Sequence, residues 1–345
     1  MQKIIEIEEF LNLADEIPVI DVRAPKEYIH AHIPGAYNIP LFDDDEREKV
    51  GTLYKQKGRD EAILCGLELA GPKLGNLVRE AKKIAPGNKV LVHCWRGGMR
   101  SASMAWLLST AGMDVRILSG GYKTYRRHLK SSFQKKAQII ILGGMTGSGK
   151  TEILTNLKKL NQQVIDLEAY ANHKGSAFGG LGQEEQCSTE QFENLIFNEW
   201  KLLDFNKPVW LEDESQAIGK IRIPEEIYEQ IRENVLINII IPKELRIKRL
   251  LKEYGHFDKE LLIHSVLKIA KRLGGLNTSL AIDSINNQNI GKAIDLSLIY
   301  YDKAYQFGLS KRDTHKIYDL GLNGIDPGEN AAIILEFYIS TVNKG

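Results

Sequence analysis

Nine residues, His93-Cys94-Trp95-Arg96-Gly97-Gly98-Met99-Arg100-Ser101, have the types and order of a nucleophile set in an anion-binding loop. The run Lys89-Val90-Leu91-Val92 before them reads as a buried strand, and Ala102 to Leu108 reads as a helix start. Cys94 then stands at a strand end, in a tight turn, at a helix N-terminus. The free N–H groups and positive pole of that helix favour an anion, so the spacing predicts a lowered thiol pKa and a populated thiolate. Consecutive loop amides would cup an oxyanion, with Gly97 and Gly98 supplying the backbone angles. Arg96 flanks the cup, and Arg100 could close it as a bidentate donor. A buried structural thiol is the commoner fate of a free cysteine, but such a thiol needs neither the glycine pair nor the two arginines.

A second motif follows. Gly144-Met145-Thr146-Gly147-Ser148-Gly149-Lys150-Thr151 fits G-x-x-x-x-G-K-T, between a strand-like run, Gln138 to Leu142, and a helical stretch, Glu152 to Leu160. That setting identifies a P-loop: its amides cradle a diphosphate, Lys150 meets the outer phosphate charge, and Thr151 can ligand Mg²⁺. Val209-Trp210-Leu211-Glu212-Asp213-Glu214 reads as a strand ending in carboxylates, where such a site keeps its cation-organising acid; Glu212 or Asp213 is the expected residue. The polar, glycine-rich stretch His173 to Gly180 follows another short strand, Gln163 to Asp166, and is placed over the P-loop as a substrate loop. Arg246, Lys248, Arg249 and Lys252 share one helical stretch that either binds phosphate or faces water.

The elements around these motifs indicate two α/β domains with parallel sheets, residues 1–133 and 134–345. A net charge of +1 excludes a polycation, so nucleic-acid binding would need a local patch. One exists: from Val115 to Thr151 there is no Asp or Glu, while Arg126, Arg127 and Lys130 lead a run of basic residues suited to an RNA backbone. Three cysteines, Cys65, Cys94 and Cys187, form no CxxC pair, which suits a reducing cytosol. The first residues have no apolar signal core, and no run reaches membrane-spanning length, so a cytoplasmic protein without membrane attachment is expected.

Val19-Ile20-Asp21-Val22-Arg23, Glu27-Tyr28, His32-Ile33-Pro34-Gly35-Ala36 and Leu118-Ser119-Gly120-Gly121 resemble the signatures of rhodanese domains, whose catalytic cysteine falls on Cys94. The loop departs from common sulfurtransferases by being one residue longer. Its Cys-x5-Arg-Ser length is that of cysteine-dependent phosphatases and makes a wider cup, suited to a tetrahedral phosphate-like group. Asp43 to Pro72 is long for a bare rhodanese domain; it is either a substrate-facing insertion or a solvated helical excursion.

A rhodanese-like unit joined to a P-loop unit containing Asp166-Leu167-Glu168, Asn172 to Gly179 and Leu211-Glu212-Asp213-Glu214-Ser215 resembles the bacterial tRNA 2-selenouridine synthase family. The resemblance implies an enzyme that replaces sulfur by selenium in the wobble 2-thiouridine of tRNA. It further implies selenophosphate and geranyl diphosphate as co-substrates, an S-geranylated intermediate, no tightly bound cofactor, and selenophosphate synthetase as a candidate donor enzyme. Thiocarbonyl sulfur leaves poorly until alkylated, so an allylic diphosphate is a sensible activator and the P-loop its clamp. Cys94 would accept selenium as a perselenide or assist delivery while the cup holds phosphate; the first is expected here. Two other classes stay open: a rhodanese-fold phosphatase fused to a kinase-like module, and a tRNA-binding NTPase.

Overall fold

The computed structural model describes residues 2–342. Its chain divides into two compact units, Met1–Ser132 and Phe133–Gly345.

The first unit runs β1 (Gln2–Ile5), α1 (Ile7–Ala14), β2 (Val19–Asp21), α2 (Pro25–His30), β3 (Tyr37–Asn38), α3 (Asp44–Gln56), α4 (Arg59–Ala70), α5 (Leu74–Ile84), β4 (Lys89–His93), α6 (Met99–Thr110), β5 (Asp114–Leu118) and α7 (Gly121–Phe133). Its strands form one parallel sheet in the order β1-β5-β4-β2-β3. Central β4 is buried from Val90 to His93, as a strand covered by helices on both faces must be. The helix after Cys94 starts at Met99, ahead of the Ala102 expected from apolar spacing, because its first turn, with Met99 exposed and Ser101 buried, inverts the usual apolar-inside pattern. Residues 44–70 form the helical pair α3 and α4. Asp43 starts α3 with a capping box, accepting from the Glu46 amide at 2.9 Å while the Glu46 carboxylate accepts from the Asp43 amide at 2.9 Å. On α7, Tyr122, Tyr125, Leu129 and Phe133 are buried at helical spacing, and Lys123, Arg127 and Lys130 are exposed.

The second unit runs β6 (Ile139–Gly144), α8 (Lys150–Lys159), β7 (Gln163–Val164), α9 (Leu167–Ala171), α10 (Thr189–Trp200), β8 (Val209–Glu212), β9 (Ala217–Ile218), β10 (Ile221–Arg222), α11 (Glu225–Glu233), β11 (Val235–Ile240), α12 (Lys243–Tyr254), α13 (Lys259–Leu273), α14 (Gly275–Asn286), α15 (Ile290–Leu309), β12 (Ile317–Gly321) and α16 (Pro327–Phe337). Five strands form a parallel sheet, β12-β11-β6-β8-β7, with β6 at its centre and wholly buried. Helices α12 to α15 build a separate apolar cluster around Leu250, Leu262, Val266, Ala281 and Leu298. No helix among the described residues is long and apolar enough to cross a membrane.

Two glycine turns interlock in the first unit. Gly97 (φ +63°) and Gly121 (φ +60°) both have left-handed backbone angles. A Cβ on Gly121 would lie 2.3 Å from the Cys94 carbonyl oxygen, and one on Gly97 would lie 2.8 Å from the Gly120 nitrogen. Gly121→Ala should therefore destabilise the first unit by about 3 kcal/mol, from left-handed strain plus overpacking. Urea unfolding of the full chain checks this: the transition that includes the first unit should move to lower denaturant.

Candidate active site

Cys94 follows the last residue of β4, and its sulfur is nearly buried, 3% exposed. Ser101, in the first turn of α6, places its Oγ 3.2 Å from the Cys94 Sγ and donates to the Gly98 carbonyl at 3.0 Å. A hydroxyl has one proton. With Cys94 as a thiol, Sγ–H donates to Ser101; with a thiolate, the hydroxyl can turn and donate to sulfur. Backbone bonds fasten the turn: the Tyr122 amide donates to the Cys94 carbonyl at 2.8 Å and the Lys123 amide to Trp95 at 3.0 Å.

Arg100 is the second residue of α6, and its guanidinium forks onto Glu27, at 2.6 Å from Nη1 and 3.4 Å from Nη2. Burial works against the Glu27 charge, yet the hydrogen bond and charge of Arg100 outweigh it and hold that carboxyl below its usual range. The Arg100 guanidinium is thus held by a carboxylate, and it has other N–H donors besides those on Glu27. The glutamate belongs to a quoted signature, but its pairing across the sequence was not legible. Arg96 is exposed.

Below the loop lies a buried charged cluster. Arg23 Nη2 donates to Asp21 Oδ2 at 2.6 Å and to the Ala31 carbonyl at 2.7 Å, and its guanidinium stacks 4.0 Å over Tyr122. His93 Nε2 lies 3.7 Å from Asp21 Oδ2, and burial pushes that imidazole's pKa down. These paired groups anchor the strand ends that present Cys94.

The P-loop connects β6 to α8. Lys150 Nζ donates to the Gly144 carbonyl at 3.2 Å and sits 3.2 Å from Glu212 Oε1. Thr151 Oγ1 donates to Glu168 Oε2 at 2.9 Å and lies 3.3 Å from Glu212 Oε2. The Ser148 hydroxyl is buried with no protein partner, an open hydrogen-bonding position inside the loop. Gly147 (φ +84°) and Gly149 (φ +80°) set the turn, and Cβ atoms there would strike Leu250 and the Arg249 guanidinium. Arg246 forks onto Asp302 at 2.8 Å and reaches the Thr146 carbonyl at 3.1 Å; Arg249 pairs with Glu152 and donates to Ile325. These two arginines therefore brace the loop from behind.

Glu212 takes the acidic position and Asp213 does not. Successive strand residues face opposite ways: Glu212 meets Lys150, whereas Asp213 is claimed by Arg312 and by Arg232 at 3.6 Å. Two carboxylates that were not singled out join Glu212. Ligand oxygens of Glu168, Glu212 and Glu214 all lie within 4.8 Å of one another. Alternation along the strand could have found Glu214; nothing local marks Glu168. The loop containing Gly175 closes on this cluster, since a Cβ on Gly175 (φ +64°) would lie 2.8 Å from Glu168 Oε1 and 2.9 Å from Glu214 Oε2. Beside Thr146, Phe178, Leu250, Tyr254, Val266 and Tyr301 line an apolar pocket.

Electrostatically, three acids surround one buried ammonium. Burial alone would lower the Lys150 pKa, but Glu212, Glu214 and Glu168 together raise it, so the ammonium stays charged. Burial, then Glu212, pushes Glu168 up to about 8. Glu214 is raised by burial and by both neighbouring glutamates. The folded chain thus keeps a Glu168 proton that the unfolded chain sheds near 4.5. The associated stability is present below about pH 4.5 and is lost as pH climbs toward 8. Without divalent cation, Glu168→Gln should flatten this decline, gaining on the order of a few kcal/mol over wild type at pH 8. Melting curves of both proteins from pH 5 to 8 measure it.

Comparison with known proteins adds family evidence. A family model described as the tRNA 2-selenouridine synthase AAA domain matches residues 137–321, and a rhodanese-like domain model matches residues 6–128. The tRNA 2-selenouridine synthase of Shewanella frigidimarina (strain NCIMB 400) is 33% identical over 344 residues, covering 89% of this chain and 92% of that one. Its counterpart from Shewanella sediminis (strain HAW-EB3) is 34% identical over 340 residues, covering 87% and 90%. Among solved structures, a rhodanese-related protein of Thermoplasma volcanium is similar over 36% of this chain and 92% of its own, at 20% identity and a TM-score of 0.24.

Proposed function

The chain belongs to the tRNA 2-selenouridine synthase family, and on that premise we propose that it exchanges sulfur for selenium in the wobble 2-thiouridine of tRNA through an S-geranylated intermediate. The observation that carries this reading is the P-loop, a loop built for a diphosphate, with a small apolar recess of about 30 Å³ beside its Thr146. The apolar lining matches a hydrocarbon tail in kind, and Phe178, Leu250 and Tyr254 would have to part to admit one of ten carbons.

In the first step, thiouridine sulfur attacks the allylic carbon of geranyl diphosphate, a C–S bond forms, the C–O bond breaks and diphosphate departs. The amides of Gly147 and Gly149, with Lys150, would stabilise the charge developing on that leaving group. The Glu168, Glu212 and Glu214 oxygens and the Thr151 hydroxyl are close enough together to suit a divalent cation such as Mg²⁺, which would neutralise diphosphate charge when bound.

In the second step, the cup around Cys94 and Arg100 would receive selenophosphate. Electron balance decides the role of the cysteine. If the Cys94 thiolate attacked selenium to form a perselenide, phosphorus would have to leave with the bonding pair as phosphite, a two-electron reduction. The alternative is redox-neutral: selenium attacks C2 of the alkylated base, geranylthiolate leaves, and water takes the phosphoryl group from selenium as phosphate. We therefore assign Cys94, Gly97, Gly98 and Arg100 to holding and polarising selenophosphate, with Arg96 at the rim, in place of the perselenide expected from sequence. A selenophosphate-producing enzyme would be the donor partner.

Lys150→Ala should slow geranylation roughly 30- to 1000-fold, while selenation of tRNA already holding S-geranyl-2-thiouridine persists. Cys94→Ser should show the reverse and accumulate geranylated tRNA. Nucleoside mass spectrometry after supplying each mutant with both tRNAs tests this; equal failure of Lys150→Ala on both would end the two-site division.

Helix α7 supplies the candidate RNA contact. Arg127 and Lys130 are exposed on it, and Arg126 is half-buried beside them. Replacing all three by Ala should weaken tRNA binding and flatten the plot of log K against log salt by about one unit per lost phosphate contact. An unchanged slope would remove these residues from the interface.

A further inference from the structure

The first unit contains an apolar groove outside the cup. Its floor is α6, through Met99, Ala102, Trp106 and Leu107, and its wall is the helical pair α3 and α4, through Tyr54 and Leu67. The space measures about 440 Å³, within the range of small-ligand pockets. Apolar side chains dominate it, and several face water: Trp106 is 59% exposed, Leu67 64% and Tyr54 59%. Arg100 lines one end. Met99 and Arg100 place the groove beside the first turn of α6, which directly follows the loop that holds Cys94.

We propose that this groove receives the geranyl group of S-geranyl-2-thiouridine while selenium displaces it. The inference rests on the S-geranylated route proposed above. In that step C2–Se forms and C2–S breaks, with the electron pair leaving on geranylthiolate sulfur. A ten-carbon tail must therefore lie near the cup before the bond breaks, and must depart afterwards. An open-sided apolar groove beside Arg100 suits both needs: it removes the tail from water without enclosing the leaving thiol. The interrupting helices α3 and α4 then have a use. They form the wall that a bare rhodanese-like sheet would lack.

Two substitutions at exposed positions of α6 test the assignment in the full chain. Ala102→Phe fills the groove and Trp106→Ala removes part of its floor, and neither residue belongs to the sulfur loop or to the core. Each protein is given selenophosphate and tRNA bearing either S-geranyl- or S-methyl-2-thiouridine, and 2-selenouridine formation gives kcat/KM. Both variants should lose about 15-fold on the geranyl substrate, the equivalent of roughly two buried methylenes at fourfold each. They should change less than about twofold on the methyl substrate, whose tail does not reach the groove. Equal losses on both substrates would show that the groove holds tRNA or a donor protein instead, and no loss on either would show that it holds nothing in this step; both results overturn the assignment. If wild type makes 2-selenouridine from 2-thiouridine tRNA but not from S-geranyl tRNA, the route itself fails, and the groove assignment falls with it.

Discussion

Electroneutrality around Lys150 is the constraint on which the second unit depends. A buried ammonium is tolerable only when paired, and one carboxylate would suffice for that. Here three converge, and burial raises the pKa of each, that of Glu168 to about 8. The site is therefore balanced for a guest that brings its own charges. A polyanion meets the ammonium and the loop amides, and a cation meets the acids. The loop is also braced from behind. Arg246 joins the Thr146 carbonyl of the loop to Asp302 of α15, and Arg249 joins α12 to Glu152 of α8.

The first unit solves a similar problem with backbone instead of charge. The turn after Cys94 and the turn before α7 approach closely, and that approach needs left-handed angles at Gly97 and Gly121. The Asp21–Arg23 pair below the loop is fully desolvated, and such a pair adds little net stability. Its use is positional: it joins the end of β2 to Ala31 and Tyr122, and so sets where the sulfur sits.

Local order was largely legible in the sequence. The strand–turn–helix setting of both loops depends on residues adjacent in the chain, so Cys94, Gly97, Lys150 and Thr151 could be placed before any coordinates. Partners supplied from far along the chain could not. Glu27 reaches Arg100, and Glu168 reaches Thr151, only because the parallel sheets bring distant strand ends together. The choice between Glu212 and Asp213 turned on which side of β8 faces the P-loop lysine, and the arginines that claim Asp213 come from α11 and from the segment after α15. The stretch after Asp43 showed helical composition, but only the packing of α3 and α4 beside α6 shows that it shapes a groove.

The fastening of α7 to the sulfur loop has one more consequence. The Tyr122 and Lys123 amides donate to Cys94 and Trp95, so the first turn of the basic helix and the backbone of the nucleophile form one stiff lever. A shift of that helix end would pull on the Cys94 carbonyl through the Tyr122 bond. A polyanion drawn along Arg127 and Lys130 would therefore bear on the cup mechanically as well as through its charge. Deuterium uptake at the Tyr122 and Lys123 amides becomes a direct gauge of whether the lever has been moved.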